Sequence, residues 1–289
     1  MPRLTRGWYV DHAVEAVQIP EGLLRCPECG RGALVAGGRR DPSVQCNACA
    51  ASYPVTEAVI DLLPSMSQPR SLAQRLMEAA PVVRIYESRL WRRSVVATWK
   101  LGIAFEQERQ LILRAANLGA AATVLDLACG SGIYTRSIAR RVAAGTVVGL
   151  DLSFPMLRDA RRRVVEAGLN NVVLIHGTAL RLPFPPDRFD LLNCCGALHL
   201  FPDVPRVLSE VHRVLKPGGR FTVAAVRQRD GRLAALGSGY RRTIFGVDAF
   251  SPADLASRLV NVGFDGVQCH YAQRLWLIMS ARKPVQLAS

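Results

Sequence analysis

The segment Val124-Leu-Asp-Leu-Ala-Cys-Gly-Ser-Gly-Ile-Tyr134 decides the fold of the larger part of this chain. Its apolar first half predicts a buried strand, and a helical pattern begins after the second glycine. Gly130 and Gly132 let the backbone turn sharply and allow a ligand to approach it closely. The helix that follows presents free backbone N–H groups at the same point. The segment therefore predicts a strand, a ligand-binding turn and a helix in direct succession.

Strands and helices alternate from this segment onward. The predicted strands are Thr123–Leu127, Thr146–Leu150, Val172–Ile175, Phe189–Cys194 and Arg220–Val226. The helices between them are Ser131–Val142, Pro155–Ala167 and Pro205–Val214. A last helix and two final strands are predicted at Pro252–Val262, Asp265–His270 and Ala272–Ser280. Alternation of this length indicates an α/β fold, with a mostly parallel sheet covered by helices on both faces.

Four cysteines near the start form two Cys-x-x-Cys pairs, Cys26-Pro-Glu-Cys29 and Cys46-Asn-Ala-Cys49. Each pair places two thiolates on one tight turn, and the two turns complete a tetrahedral Zn²⁺ site. Four thiolates leave no open coordination position, so we expect a structural zinc. A module of roughly 40 residues buries too little core alone, so the metal should supply much of its folding free energy. The alternative is two disulfides, which need an oxidising compartment, and Met1–Val10 lacks the apolar core of a secretory signal.

The chain divides into three predicted parts. Residues 1–63 form an N-terminal segment and the zinc ribbon, closed by a strand pair within Ser52–Leu63. Residues 64–118 form a linker and two or three helices, and residues 119–289 form the α/β domain. Residues 228–250 fit the pattern poorly and are expected to form a loop or small insertion over the active site. No stretch of about 20 apolar residues occurs, so we expect no membrane span and a cytoplasmic location, with the oligomeric state left open.

The formal charge of +14 is carried almost entirely by arginine, and lysine occurs only at positions 100, 216 and 283. A basic balance fits nucleic acid, an acidic surface or an anionic substrate as a partner. The arginines are spread along the chain, and a skew from lysine to arginine often reflects genome composition. The charge therefore keeps RNA as an alternative partner without favouring it.

The motifs of the α/β domain, in their order, resemble those of class I S-adenosylmethionine-dependent methyltransferases. Asp126, Gly130 and Gly132 match the family's first motif, and Asp151 matches the acid that holds the ribose. Further matches are Leu180-Arg-Leu-Pro-Phe-Pro185, Phe189-Asp-Leu-Leu-Asn193 and Leu215-Lys-Pro-Gly-Gly219. A dinucleotide site would need a third glycine, where this chain has Thr135. The resemblance covers residues 105–285 and implies a Rossmann-like sheet of seven strands that ends in an antiparallel hairpin.

The resemblance also implies where S-adenosylmethionine binds. Asp151 would hold the ribose, Leu152 and Met156 would flank the adenine, and the backbone around Gly130 would contact the methionine part. The full set of expected cofactor residues is Asp126, Ala128, Gly130, Gly132, Tyr134, Asp151, Leu152, Met156, Thr178, Ala179 and Asn193. Two of them depart from the family pattern. Thr178 stands where an aspartate usually contacts the adenine amino group, and Ala128 replaces a common glycine, so the cofactor affinity is left open.

Methyl transfer is an in-line displacement that depends mainly on proximity and alignment. A base is needed only if the nucleophile carries a proton of high pKa. His199, just beyond the fourth strand, is the first candidate for a base or substrate contact, and His176, at the end of the third strand, is the second. For each histidine the alternative is a packed or capping role. Asn193-Cys-Cys-Gly196 lacks the Pro-Pro-aromatic motif of enzymes that grip a flipped base, which favours a small-molecule acceptor.

Three functions are compatible with these motifs. The first is methylation of a small, apolar molecule, such as a quinone, a natural product or a lipid-like compound. The second is methylation of a guanine in ribosomal RNA, because a zinc ribbon before a class I domain is similar in layout to enzymes of that kind. The same layout also resembles plastid and bacterial zinc-ribbon methyltransferase-like proteins. The third is a cofactor-binding protein or a non-methylating enzyme on the same fold. The ribbon has few aromatic residues for stacking on RNA bases, so the first function is preferred.

Overall fold

The computed structural model describes residues 9–10, 14–15, 19–37, 42–63, 94–228 and 248–285. Its strands, β1 to β13 in chain order, are Tyr9–Val10, Val14–Glu15, Leu34–Ala36, Ser43–Cys46, Ser52–Thr56, Val59–Asp61, Thr123–Leu127, Thr146–Asp151, Val172–His176, Phe189–Cys195, Leu215–Val226, Asp265–Gln273 and Trp276–Arg282. Its helices, α1 to α6, are Val95–Leu101, Phe105–Ala116, Ile133–Arg141, Phe154–Glu166, Val204–Val214 and Pro252–Asn261. A short 3-10 helix covers Leu198–Leu200.

The central sheet has the strand order β12-β13-β11-β10-β7-β8-β9. Strands β7 to β11 pair in parallel, and β13 pairs antiparallel with both β11 and β12. This is the Rossmann-like, seven-stranded fold that the sequence predicts, including its final hairpin. The strand order reverses between β7 and β10, and ligands of open α/β sheets bind in the crevice at such a point.

Four described helices begin at a capping side chain. Ser94, Ser153, Asp203 and Ser251 each accept a hydrogen bond from the backbone N–H three residues later, and a proline follows the last three of them in the first helical turn. Helix α3 begins differently, because its N-cap is Gly132 in the left-handed conformation and no side chain caps it. The first N–H groups of α3 are therefore directed at the crevice without a capping side chain.

Three predicted boundaries are wrong by several residues, and one of them is the start of β13, at Trp276 rather than Ala272. Strand β11 begins at Leu215 rather than Arg220, because Leu215 already pairs with Phe189. Strand β12 runs on to Gln273, past the break predicted at Tyr271, because the turn of the hairpin lies between Gln273 and Trp276. Most of the insertion predicted over the active site at 228–250 lies outside the described residues, namely 229–247. The same is true of residues 64–93 of the predicted linker and helical segment. Among the residues described, no helix has the length and apolar character needed to cross a membrane.

The N-terminal module continues the central sheet. Strand β6 pairs in parallel with β9, placing Asp61 opposite His176, and strands β5, β4 and β3 follow outward in that order. Leu24 and Leu62 belong to the same buried apolar cluster as Phe184 of the α/β domain. The strand pair expected at the end of the module is present as β5 and β6, but the sheet and the core both cross from the first predicted part into the third.

Candidate functional site

The turn between β7 and α3 borders an open space at the carboxyl edge of the sheet. Ala128, Gly130 and Gly132 all have positive φ angles, of 54°, 54° and 76°. A Cβ on Gly130 would meet no heavy atom within 4 Å, so the space beside this glycine is open. Ala128 adopts the left-handed conformation despite its Cβ, at a cost that a glycine would avoid. The backbone here forms the close-approach surface that the two glycines predicted.

Asp151 holds this turn from the end of the neighbouring strand β8. Its Oδ2 accepts a hydrogen bond from the Gly130 N–H at 2.7 Å, and its Oδ1 accepts one from the Ser153 N–H at 2.8 Å. The side chain is only partly buried. An ionised carboxylate has about four lone-pair sites on its two oxygens, which makes Asp151 a group of the kind that accepts hydrogen bonds from hydroxyls.

Asp126 and Asn193 lie beneath the turn, where they form a buried network. Asp126 accepts hydrogen bonds from Thr135 Oγ1 at 2.5 Å and from Asn193 Nδ2 at 2.7 Å. Thr222 Oγ1 donates in turn to Asn193 Oδ1 at 2.9 Å. Burial raises the pKa of Asp126 to about 6. The network joins β7, α3, β10 and β11, and it therefore supports the turn from its buried side. Direct contacts of Asp126 and Asn193 with the cofactor stay a prediction.

The residues expected around the adenine lie at the carboxyl ends of β8 and β9. Met156, Thr178 and Ala179 are buried, and Leu152 is half-buried. Thr178 Oγ1 already accepts a hydrogen bond from the Leu180 N–H at 3.2 Å. A hydroxyl has a second lone pair and a proton of its own, so Thr178 can accept one further hydrogen bond and donate one.

His176 is held at both ring nitrogens. Nδ1 lies 2.8 Å from Asp61 Oδ1, and Nε2 lies 3.0 Å from the backbone oxygen of Leu152. Phe154 packs edge-on against the ring. Both ring nitrogens therefore lie within hydrogen-bond distance of an oxygen atom. The geometry favours the capping role for His176, and its role as a base stays an untested prediction.

His199 lies in the 3-10 helix after β10, buried beside Trp276, with ring centres 6.3 Å apart. The Val226 N–H donates to His199 Nδ1 at 3.4 Å, which assigns the ring proton to Nε2. Burial lowers the pKa of His199 to about 4. A neutral ring with its Nδ1 lone pair engaged is suited to donating a hydrogen bond to a substrate.

The burial of neutral His199 links stability to pH. An unfolded histidine titrates near pH 6.5 and folded His199 near pH 4, so between these values the unfolded chain binds more protons. The contribution of His199 to the free energy of unfolding is complete above about pH 6.5. As the pH falls toward 4 the free energy of unfolding decreases by up to about 3 kcal/mol, because the unfolded chain is favoured by protonation of this histidine. We expect His199→Gln to flatten this slope in urea denaturation. The titration of Asp126 changes stability with pH in the opposite direction, but it does so equally in the wild type and in the variant and cancels in the comparison. Equal slopes of stability against pH in the two proteins would therefore contradict the burial of His199.

Glu108, a fully buried carboxylate on α2, was not among the predicted site residues. Its Oε1 accepts hydrogen bonds from Tyr134 Oη at 2.8 Å, Trp276 Nε1 at 3.1 Å and Cys195 Sγ at 3.4 Å. The available signal was its spacing, because Glu108 lies three residues after buried Phe105, on the apolar stripe of the helix. Glu108 thus joins α2 to the same region of the sheet edge as His199.

Glu108→Ala is expected to lower the free energy of unfolding by about 2–4 kcal/mol, because it leaves the buried donors of Tyr134 and Trp276 without this acceptor. Urea denaturation at neutral pH measures the difference. Glu106→Ala on the same helix is the matched control, since the Glu106 side chain is 57% exposed and pairs with Arg109 at the surface. Equal losses in the two variants would show that the three hydrogen bonds to Glu108 contribute nothing specific.

The four cysteine sulfurs of the N-terminal module lie within 4.8 Å of one another. Cys26 and Cys49 are 3.7 Å apart at their Sγ atoms, and so are Cys29 and Cys46. Tetrahedral zinc with Zn–S bonds of about 2.3 Å places its sulfurs about 3.8 Å apart, whereas a disulfide requires about 2.05 Å. The four residues therefore fit a zinc ion and do not form the alternative pair of disulfides.

The backbone of each cysteine turn donates a hydrogen bond to one of its sulfurs. Gly32 N–H donates to Cys29 Sγ and Ala48 N–H to Cys46 Sγ, both at 3.3 Å. Hydrogen bonds from the backbone at Gly32 and Arg31 lower the pKa of Cys29 to about 6. Gly32 is required by close approach, because a Cβ there would lie 2.2 Å from Cys46 Sγ.

The stretch that carries the turn and the strands around it is similar to known methyltransferases. Residues 124–219 match the methyltransferase domain family. A demethylmenaquinone methyltransferase of Listeria monocytogenes serotype 4a is 39% identical over 130 residues, which are 45% of this chain and 54% of the relative. The chain thus spans about half the length of the curated relatives it matches.

Two solved structures extend the likeness to the methyltransferase domain. The Haemonchus contortus phosphoethanolamine N-methyltransferase 2 in complex with S-adenosyl-L-methionine has a TM-score of 0.60 at 18% identity, over 73% of this chain and 58% of that one. The cyclase SpnF has a TM-score of 0.61 at 20% identity, over 75% of this chain and 98% of that one. At these identities the likeness concerns the fold, which is the Rossmann-like class I methyltransferase fold.

Proposed function

We propose that this protein transfers a methyl group from S-adenosylmethionine to a small, apolar, quinone-like acceptor. The observation that carries the proposal is the turn of Gly130 against the Asp151 carboxylate, at the point where the strand order reverses. It lies within the stretch that matches the methyltransferase domain family. The identity with demethylmenaquinone methyltransferases supports the quinone-like class of acceptor.

The residues present fit the cofactor at three points. The open space beside Gly130 suits close approach of a ligand to the backbone, and the partly buried Asp151 carboxylate is an acceptor of the kind that binds ribose hydroxyls. Leu152 and Met156 supply apolar surface for the adenine, and Thr178 supplies a hydroxyl. When bound, S-adenosylmethionine supplies an electrophilic methyl group on a sulfonium.

The surroundings of His199 suit an apolar acceptor with a polar oxygen. Ala197, Leu198 and Trp276 are buried around it, and its Nε2 carries the proton. We assign His199 the role of a substrate contact that donates to an oxygen of the acceptor. Its pKa of about 4 makes it a weak base near neutral pH, so orientation of the acceptor is its principal task.

The two other functions have less support. In the described part of the zinc ribbon, Tyr53 is buried at 3% exposure and bonded to Cys26, so it offers no surface for stacking on RNA bases. SpnF is a cyclase, so the fold alone does not establish methyl transfer.

We further propose that the Cys26-Cys29-Cys46-Cys49 cluster holds a structural Zn²⁺. We also propose a cytoplasmic location, which suits cysteines kept as reduced thiols or metal ligands.

The test uses the purified, zinc-loaded protein with S-adenosylmethionine labelled in its methyl group. Three acceptors are offered separately: a demethylated naphthoquinol, the same compound already methylated, and ribosomal RNA. The proposal predicts label in the demethylated quinol alone. Label in the RNA would favour the second function. Binding of the cofactor without transfer to any acceptor would favour the third.

A further inference from the structure

We propose that Asp61, in the N-terminal module, and His176 form a positioning pair that fixes the adenosine side of the cofactor pocket. The inference rests on the proposed function for the location of that pocket. It assigns the module a part in cofactor binding, beyond holding a metal ion. The pair is a set of positioning residues, because it acts on the pocket through the backbone at Leu152.

The first step is the junction between the module and the domain. Strand β6 lies along β9 in parallel, with Val59 opposite Leu174 and Asp61 opposite His176. The Leu62 N–H then donates to the backbone oxygen of His176 at 3.0 Å. The carboxyl ends of the two strands are therefore in register, and the Asp61 side chain reaches the His176 ring.

The second step leads from His176 to the pocket. Its Nε2 donates to the Leu152 oxygen at 3.0 Å. Leu152 directly follows Asp151, and the Gly177 N–H bonds to the Asp151 backbone oxygen at 2.9 Å. Any shift of the His176 ring would thus move the residue next to the carboxylate that is proposed to hold the ribose.

The third step is the source of the ring's orientation. The His176 ring has an oxygen neighbour at each nitrogen, and one of the two is the Asp61 carboxylate at 2.8 Å. Asp61 Oδ1 is itself fixed, because it also accepts from the Leu63 N–H at 3.1 Å. The Asp61 side chain is 21% exposed and that of His176 is 9% exposed, so their contact is largely shielded from water. The module therefore supplies the group that orients the ring.

A second tether between the module and the domain serves as the control. Glu57, in the turn between β5 and β6, pairs with Arg158 of α4 at 2.8 Å, and both side chains are at least half exposed. This ion pair also joins the N-terminal module to the α/β domain. It is not one of the contacts that run from Asp61 through His176 to Leu152. Loss of this ion pair should change little, because exposed pairs contribute weakly.

The experiment measures the affinity of the zinc-loaded protein for S-adenosylmethionine and for 5′-methylthioadenosine, which lacks the amino-acid part. Asp61→Ala and His176→Phe should each weaken binding of both ligands by about three- to tenfold, as expected for the loss of one hydrogen bond of ordinary strength. Asp61→Asn, which keeps an acceptor oxygen, should retain most of the affinity. The double variant should lose no more than either single one, because the pair acts as a unit. Glu57→Ala should bind like the wild type.

Each other outcome overturns the inference in a distinct way. If the wild type binds S-adenosylmethionine and Asp61→Ala does so equally well, the proposed function stands and the positioning pair does not. A loss of affinity in Glu57→Ala equal to that in Asp61→Ala would assign the effect to general loosening of the module. Absence of binding by the wild type removes the proposed function, and the inference with it. Circular dichroism and urea denaturation of every variant identify any that fail to fold. If Asp61→Ala does not fold, the conclusion is drawn from His176→Phe instead.

Discussion

Asp151→Ala is expected to weaken the binding of S-adenosylmethionine by about 30- to 100-fold, because it removes the charged acceptor that is proposed to bind the two ribose hydroxyls. The same change releases the Gly130 and Ser153 N–H groups that the carboxylate holds. The turn then loses the contact that shapes it, and this adds to the lost ligand contacts. Isothermal titration calorimetry of the two proteins measures the ratio of dissociation constants.

The matched control for this prediction is Asp254→Ala. Asp254 is also a carboxylate near a helix start, but it lies on α6, is 42% exposed at its side chain and pairs with Arg258. It should leave the cofactor affinity unchanged. Unchanged affinity in Asp151→Ala as well would place the cofactor site elsewhere on the molecule.

The cysteine cluster should hold about one zinc ion per chain, and Cys49→Ser should reduce the zinc content to near zero, because three thiolates leave the tetrahedral site incomplete. Cys49 is an exposed member of the cluster, so the change acts through the metal with little effect on packing. The variant should also unfold at a lower urea concentration, since metal binding contributes directly to the folding free energy of small modules. Elemental analysis of protein purified without chelator gives the zinc content.

Cys269→Ser provides the comparison for this result. Cys269 is likewise exposed, but it lies on β12, and the cluster does not include it. Its replacement should alter neither the zinc content nor the urea midpoint. A wild-type protein that carries no metal would remove the zinc assignment altogether.

Much of the fold could be predicted from the sequence because its signals are local. Strand β7 was predicted with its observed bounds, Thr123–Leu127, since a buried parallel strand is a short apolar run between turn residues. The glycines after it predicted the turn. The pairing of β6 with β9 could not be predicted in this way, because residues 61 and 176 are 115 positions apart in the chain. No short sequence motif indicates a strand pairing over that distance.

The site was predicted less completely, for a related reason. A motif identifies residue types at a spacing but does not say which of them line the open space and which lie beneath it. Asp126 matches the motif and yet is buried in a network with Thr135 and Asn193. His176 was chosen for its position at a strand end, and its partner Asp61 lies in a different part of the chain. The only indication of Glu108 in the sequence was its spacing along the helix. A charged residue on a helix is not ordinarily chosen as a site residue on spacing alone.

The most direct test of methyl transfer is labelling in a lysate of the source cells. Wild-type protein and Asp151→Ala are each incubated with methyl-labelled S-adenosylmethionine, and the products are divided into RNA and organic-extractable fractions. We predict label in the organic fraction with the wild type and little with Asp151→Ala. Label in the RNA fraction, or equal labelling by the two proteins, would contradict the proposal of a small-molecule methyltransferase that uses this site.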